Sequence, residues 1–381
     1  MDEIYIIFDQ IPLKRSGGLI ATYIDFVKEL SQDFKIIFVS VFRSNQTDIE
    51  EFRDIKVITL FDLPIDNRFY RAIEYLNEGD FKACSFALMS AVRFFSLIPL
   101  GRLRTKRLFV GKKVIAVAPA AAMFLNKDCR YILEVHTQFE YFWGSNLLGR
   151  AQSMLLHEPA LTVFRSVADA RKANRIFPSS HLYNTFDSSN LSVPLPADSV
   201  RHNALFMGRL SEQKNPIMLL ECTKEILKVI PDFQLDLFGD GELRETLESA
   251  ITDLSLSDHI HLKGFIQDKS IYRNYDVLLI TSKVEGLSLA IIEAAANMVP
   301  TISTEWGDAV YEEIDNGKSG YIVASQQEFV NRTIEIVTSL ELRNCLAQGA
   351  FSLYNDRFST FAHRKAWLDI IERVYRGKTE S

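Results

Sequence analysis

The chain has 381 residues, 47% hydrophobic and 24% charged, with a formal net charge of −6. That length passes the ~250–300 residues at which a single core tends to divide, so two domains are expected, and the composition excludes a disordered tail, a collagen-like repeat or a coiled coil. The charge excludes a protein that coats nucleic acid, but it is unevenly held: 24 basic against 20 acidic residues in 1–185, then 19 against 29 in the remainder.

The amino terminus runs straight into Ile4, Tyr5, Ile6, Ile7 and Phe8, with no basic start, apolar middle or small-residue cleavage site, so a cytoplasmic protein is expected. Short runs of branched and aromatic residues then alternate with segments of helical period, the pattern of parallel strands joined by crossover helices. The first series of expected strands is 4–8, 34–41, 55–61, 114–118, 131–135 and 175–178, with a helix at 19–30 behind the first. Between the third and fourth lies an unusually long stretch, 66–113. Its longest apolar run, 94–100, falls short of the ~18–20 residues of a spanning helix, so no membrane-crossing segment is expected. Residues 91–113 hold seven basic residues and no acid, interleaved with Phe94, Phe95, Leu97, Ile98, Leu103 and Phe109. Such a stretch suits either weak docking on an anionic membrane surface or a helix packed on the core with a solvated basic face.

Residues 187–198 are polar, contain Pro194 and Pro196, and read as a linker. The second series of strands is 204–207, 233–238, 260–263, 277–281 and 301–303, each followed by a helical pattern. The expected fold is therefore α/β, two Rossmann-like doubly wound domains: 1–185, a linker at 186–200, and 201–360, with a terminal helix at 361–381 built around Trp367, Leu368, Ile370 and Ile371. Cys84, Cys129, Cys222 and Cys345 lie far apart without a CxxC pair and read as reduced core thiols. Sheets of this kind bind ligands beyond the carboxyl ends of their strands, so the chemistry belongs in those loops.

One such loop begins at Gly208 and ends at Pro216, placing Arg209 and Lys214 between a strand and a helix. A guanidinium and an ammonium there suit a diphosphate, or are a solvated basic loop. A second runs through Glu285, Gly286, Leu287, Ser288 and Leu289 into a helix at 289–297 that carries Glu293 in its second turn. Two carboxylates eight residues apart can read sugar hydroxyls. Gly286 allows close backbone approach, and the N–H groups of Leu287, Ser288 and Leu289 at a helix start suit an anion.

Taken with Phe238-Gly-Asp-Gly-Glu242, these motifs resemble a retaining nucleotide-sugar glycosyltransferase of family 4, with the GT-B fold. The resemblance covers nearly the whole chain and is most specific in the second domain. It implies two domains facing each other across a cleft, the first on the acceptor side and rejoined by the terminal helix, the second binding the nucleotide sugar. It implies that Arg209 and Lys214 hold the donor diphosphate, that Glu293 binds the ribose and that Glu285 contacts the transferred sugar. Ser16, Gly17 and Gly18 match the family's glycine-rich loop near the donor phosphates, and His136 matches its histidine facing the donor sugar. This chain departs from the family's usual Glu-Gly-Phe-Gly-Leu in having Ser288 where a glycine is common.

Other chemistries fail on residues. Gly239-Asp-Gly-Glu-Leu-Arg244 is an incomplete dinucleotide fingerprint, and no phosphate-binding G-x-x-x-x-G-K-[ST] segment, H-E-x-x-H pair or G-x-S-x-G elbow is present. His259 and His261 share a strand face without an evident third ligand. The expected activity is transfer of a sugar from a nucleoside-diphosphate sugar to an acceptor hydroxyl, with a lipid-linked or surface-polysaccharide acceptor, no metal and no other cofactor. The protein would be cytoplasmic, with a peripheral station at the inner face of the cell membrane. The alternatives are a catalytically inactive partner subunit of the same architecture and a nucleotide-sugar epimerase.

Overall fold

The computed structural model describes residues 1–11, 26–43, 52–65, 80–136, 139 and 154–376. Two compact units share them: Met1–Leu182 with the residues from Arg364 onward, and Tyr183–His363.

The first unit is built on strands β1 (Asp2–Phe8), β2 (Phe34–Phe42), β3 (Lys56–Phe61), β4 (Lys113–Val117), β5 (Tyr131–Glu134), β6 (Leu161–Phe164) and β7 (Ser179–His181). All pair in parallel, in the order β3-β2-β1-β4-β5-β6-β7. Strands covered on both faces read as unbroken apolar runs, and alternate residues go to opposite sides. Ile4, Ile6 and Phe8 join Trp367, Ile370 and Ile371 of the terminal helix Thr360–Tyr375. Tyr5 and Ile7 face a second cluster with Phe94, Ile98 and Phe109 of the helix Phe81–Phe109.

The second unit repeats the plan with β8 (Asn203–Met207), β9 (Gln234–Phe238), β10 (Ile260–Gly264), β11 (Val277–Ile280), β12 (Thr301–Thr304) and β13 (Gly320–Val323). They too are all parallel, in the order β10-β9-β8-β11-β12-β13. In both sheets the order reverses direction beside the first strand, β1/β4 in one and β8/β11 in the other. Such a switch point opens a crevice beyond the strand ends.

Several expectations need correction. β6 and β13 are strands of four residues that the apolar-run reading passes over. Residues 175–178 are a connection: Pro178 has no N–H for a ladder, its carbonyl instead accepts the Thr162 N–H at 2.9 Å, and β7 starts one residue later. Residues 187–198 are no free tether, being bound to the rest of the second unit by Tyr354 Oη on Ser188 Oγ (2.9 Å), Arg273 on Ser192 (2.6 Å) and Asn344 on Ala197 (2.9 Å). Of the four free thiols, Cys345 is exposed rather than buried. The Phe81–Phe109 helix is, by length and composition alone, long and apolar enough to cross a membrane, because its amino-terminal two thirds hold a strongly apolar window broken only by Arg93 and a few small or polar residues, the other arginines and Lys106 lying beyond it. Of the helix expected at 19–30, only 26–30 is described, and it is helical.

The loops leaving β8 and β9 are zipped together through their backbones. Gly208 donates to the Phe238 carbonyl at 3.0 Å, Leu210 to that of Asp240 at 3.1 Å, and Leu243 to that of Leu210 at 3.0 Å. This approach dictates the glycines of the 238–242 motif. A Cβ on Gly239, whose φ is +127°, would stand 1.8 Å from the Gly208 carbonyl oxygen, and one on Gly241 would stand 2.4 Å from that of Leu210. Gly239→Ala must therefore part the two loops. The expected result is a lowered unfolding temperature together with weaker nucleotide binding, read by calorimetry and titration; a variant with unchanged melting and affinity would show that the contact is dispensable.

Candidate active site

The β8 and β11 loops flank the second unit's switch point and are stitched to each other. Lys283 N–H donates to the Gln213 carbonyl at 2.8 Å, Gln213 Nε2 to that of Val284 at 2.9 Å, and Thr281 Oγ1 to that of Lys214 at 2.9 Å. At the centre Lys214 Nζ is ion-paired with the buried Glu285 carboxylate, which also accepts from Ser282 Oγ at 2.7 Å. An ammonium has three donors, so Lys214 can keep this partner and still meet a phosphate. Arg209, on the same β8 loop, is 74% exposed and held only at 3.5 Å from Glu242 of the 239–243 loop. The two cations thus differ in setting: one anchored, one free to swing.

The helix Leu289–Ala296 starts at this crevice. The sequence assigns its first N–H groups to an anion, and the structure corrects one of them. The Ser288 N–H is already taken by both carboxylate oxygens of Glu313, at 2.9 and 3.0 Å. The amides of Leu287 and Leu289 meet no acceptor among the described residues. Glu313 is 2% exposed, and burial pushes its carboxyl well above the ordinary carboxylate range; the Ser288 N–H opposes this and the neighbouring Glu285 adds to it. That direction favours the protonated acid and so lessens the negative charge that Glu313 adds beside Lys214 and Glu285. The Ser288 hydroxyl is buried with no hydrogen-bond partner.

Glu293 lies in the second turn of that helix and is mostly buried. Its Oε2 receives Tyr272 Oη at 2.7 Å and Lys269 Nζ at 2.9 Å, both from the 3-10 helix Lys269–Asn274. Burial, then Glu293 itself, raises the Tyr272 phenol well above its usual value, so it remains a donor. Oε1 carries no partner among the described residues and can accept from a hydroxyl. Glu285 and Glu293 are therefore fixed independently, one by the β8 loop and one by the segment after β10.

In the first unit His136 follows β5, beside Arg165, which follows β6. Arg165 is 6% exposed, is ion-paired with the buried Glu134, and sets Nε at 3.2 Å from His136 Nδ1 and Nη2 at 3.1 Å from Nε2. Burial, and next the Arg165 guanidinium, lower the imidazole's pKa and favour the neutral ring. Ser16, Gly17 and Gly18 lie outside the described residues. Reading the sequence passes over Glu313, Tyr272, Lys269 and Arg165. None sits in a motif: Tyr272 and Lys269 come from one 3-10 helix, and Glu313 and Arg165 each from another segment of the chain.

Residues 190–352 match the family described as Glycosyl transferases group 1. Over 138 residues the chain is 29% identical to the poly(glycerol-phosphate) alpha-glucosyltransferase of Bacillus subtilis (strain 168), covering 36% of this chain and 20% of that protein. Over 174 residues it is 29% identical to the GalNAc-alpha-(1->4)-GalNAc-alpha-(1->3)-diNAcBac-PP-undecaprenol alpha-1,4-N-acetyl-D-galactosaminyltransferase of Campylobacter jejuni, covering 45% and 48%. The chain therefore spans about half or less of these relatives. Among solved structures, Anabaena HepE in complex with UDP superposes with a TM-score of 0.71 at 16% identity, covering 97% of this chain and all of that one. At that identity the likeness establishes the fold, two parallel-sheet Rossmann-like domains.

The Glu313 geometry sets a pH dependence. Its carboxyl ionises near 4.5 in the unfolded chain and well above that in the folded one, so as pH rises the unfolded state releases a proton that the folded state retains, and stability is lost. Glu313→Gln removes this linkage. Melting temperatures of variant and parent, compared from about pH 4 to about pH 7, should show the difference moving steadily in the variant's favour; a constant gap would mean that the buried carboxyl is ionised.

Proposed function

We propose that this protein is a metal-independent, retaining glycosyltransferase of family 4, transferring a sugar from a nucleoside-diphosphate sugar to a lipid-linked or surface-polysaccharide saccharide at the cytoplasmic face of a membrane. The observation that carries the reading is the cationic pair Arg209 and Lys214 on one strand-end loop, beside the start of a helix whose amides at Leu287 and Leu289 meet no acceptor among the described residues. The match of residues 190–352 to a glycosyltransferase family supports it, as do relatives whose names specify glycosyl transfer onto poly(glycerol phosphate) and onto an undecaprenol-linked glycan.

The chemical barrier is departure of the diphosphate. Negative charge grows on that leaving group, and cationic and N–H donors placed beside it stabilise the transition state more than the ground state. Arg209, Lys214 and the helix-start amides fill that role, with Gly208 and Gly286 admitting the phosphates close to the backbone. Glu293 accepts from the ribose through its open Oε1, and Glu285 reads the transferred sugar. The charge that a divalent ion would neutralise is met by the two cations, so activity should persist in chelator.

Thermal stabilisation by a panel of nucleotide sugars, followed by mass spectrometry of the products in the presence of chelator, tests the reading directly. Stabilisation by no member of the panel would remove it. Arg209→Ala and Lys214→Ala should each lower turnover at least about tenfold, the scale of one lost transition-state contact; rates near those of the parent would withdraw the assignment. Glu293→Ala should weaken nucleoside-diphosphate binding in isothermal titration while the fold stays intact by circular dichroism, and unchanged affinity would contradict the ribose role.

A further inference from the structure

The helix Phe81–Phe109 presents two unlike faces. One, formed by Cys84, Ala87, Phe94, Ile98, Gly101 and Phe109, is buried, and fits so closely that a Cβ on Gly101 would stand 2.5 Å from the Phe124 ring. On the opposite side Phe81 is 72% exposed, Met89 60%, Val92 71% and Leu103 54%. At 1.5 Å per residue this apolar ridge is about 33 Å long. An exposed apolar surface of that extent marks an interaction site.

Charge indicates what covers it. Between Asp80 and Asp128 there are nine basic residues and no acidic one. Three of them meet carboxylates: Lys106 with Asp128, Lys112 with Glu3, and Lys113 with Asp2. Arg93, Arg102 and Arg104 donate instead to the backbone carbonyls of Pro64, Met123 and Leu60, which hold the guanidinium without cancelling its charge. The segment therefore stays positive even though the fold employs much of it. This revises the simple picture of a solvated basic stripe at 91–113: the apolar contact lies mainly in the amino-terminal half, ahead of that stretch, and the uncompensated cations gather towards the other end.

We propose that this helix lies along an anionic bilayer, its outward ridge at the boundary of headgroups and acyl chains and its arginine-rich end against the headgroups. It docks sideways, since its other face is committed to the core of the first unit. A fluid anionic surface satisfies both halves of the ridge at once: apolar depth of ~5–10 Å for Phe81, Met89 and Val92, and phosphate-bearing headgroups for the cations. The inference names the membrane station of the proposed transferase but draws on no residue of its donor site, so the two can fail separately.

The test is co-sedimentation of the full chain with vesicles of phosphatidylcholine alone and of phosphatidylcholine mixed with phosphatidylglycerol. Binding to the anionic vesicles should be at least about tenfold stronger and should weaken with added salt. The exposed double variant Met89→Asp, Val92→Asp should abolish it, and Arg107→Glu should reduce it, while melting temperature and nucleotide-induced stabilisation remain those of the parent. Absence of binding, equal binding to both vesicle types, or indifference to these variants would overturn the proposal. So would concentration-dependent self-association lost in the Asp variants, which would make the ridge a protein interface.

Discussion

The Lys214–Glu285 ion pair welds the two loops that flank the second sheet's switch point, and the geometry of the site follows from it. Either group left alone in this half-enclosed setting would carry an uncompensated charge. Together they fix the β8 loop against the β11 loop, and the surrounding backbone bonds from Lys283 and Gln213 hold that spacing. The helix bearing Glu293 begins a few residues further on, so its direction is set by the same joint. Glu313 completes the arrangement from the β12 side by gripping the Ser288 amide.

How much of this is legible in the amino-acid sequence depends on the range of the interaction. Strands buried on both faces announce themselves as branched apolar runs, which is why β1, β2, β8 and β11 are read within a residue or so. β6 and β13 escape because Thr162 interrupts one and Gly320 opens the other, whereas the equally short β11 is four branched residues in a row, and the connection at 175–178 misleads because Ile176 and Phe177 look strand-like although Pro178 bars the ladder. Arg209, Lys214, Glu285 and Glu293 follow strands in an order that resembles a known family, whereas residue type and spacing alone leave the Arg209 and Lys214 segment equally readable as a solvated basic loop. Glu313 carries no such signal: nothing near it in sequence distinguishes a carboxylate that caps a helix from one that faces water. For the same reason the occupied Ser288 amide looks open on paper. The span-like character of Phe81–Phe109 is missed by counting consecutive apolar residues, because Arg93 and scattered serines break the run although the stretch around them is strongly apolar on average.

The two units treat charge differently. In the second, acids dominate overall, yet at the crevice Lys214 offsets Glu285 and burial favours the uncharged form of Glu313. In the first, cations dominate and many are fastened by carbonyl oxygens, which restrain a guanidinium while sparing its field. An anionic ligand can thus be received by a domain of negative total charge, since local compensation rather than the sum decides the potential at the site.

The interlock of Gly208 and Gly239 limits how this protein can diverge. Because the backbone under Arg209 rests directly on a neighbouring turn with no side chain between them, neither segment can lengthen, shorten or rotate without displacing the other. Change is therefore more readily accommodated by side chains that project from these turns, or by the segment after β10 from which Tyr272 and Lys269 reach Glu293, than by the peptide path beneath the arginine.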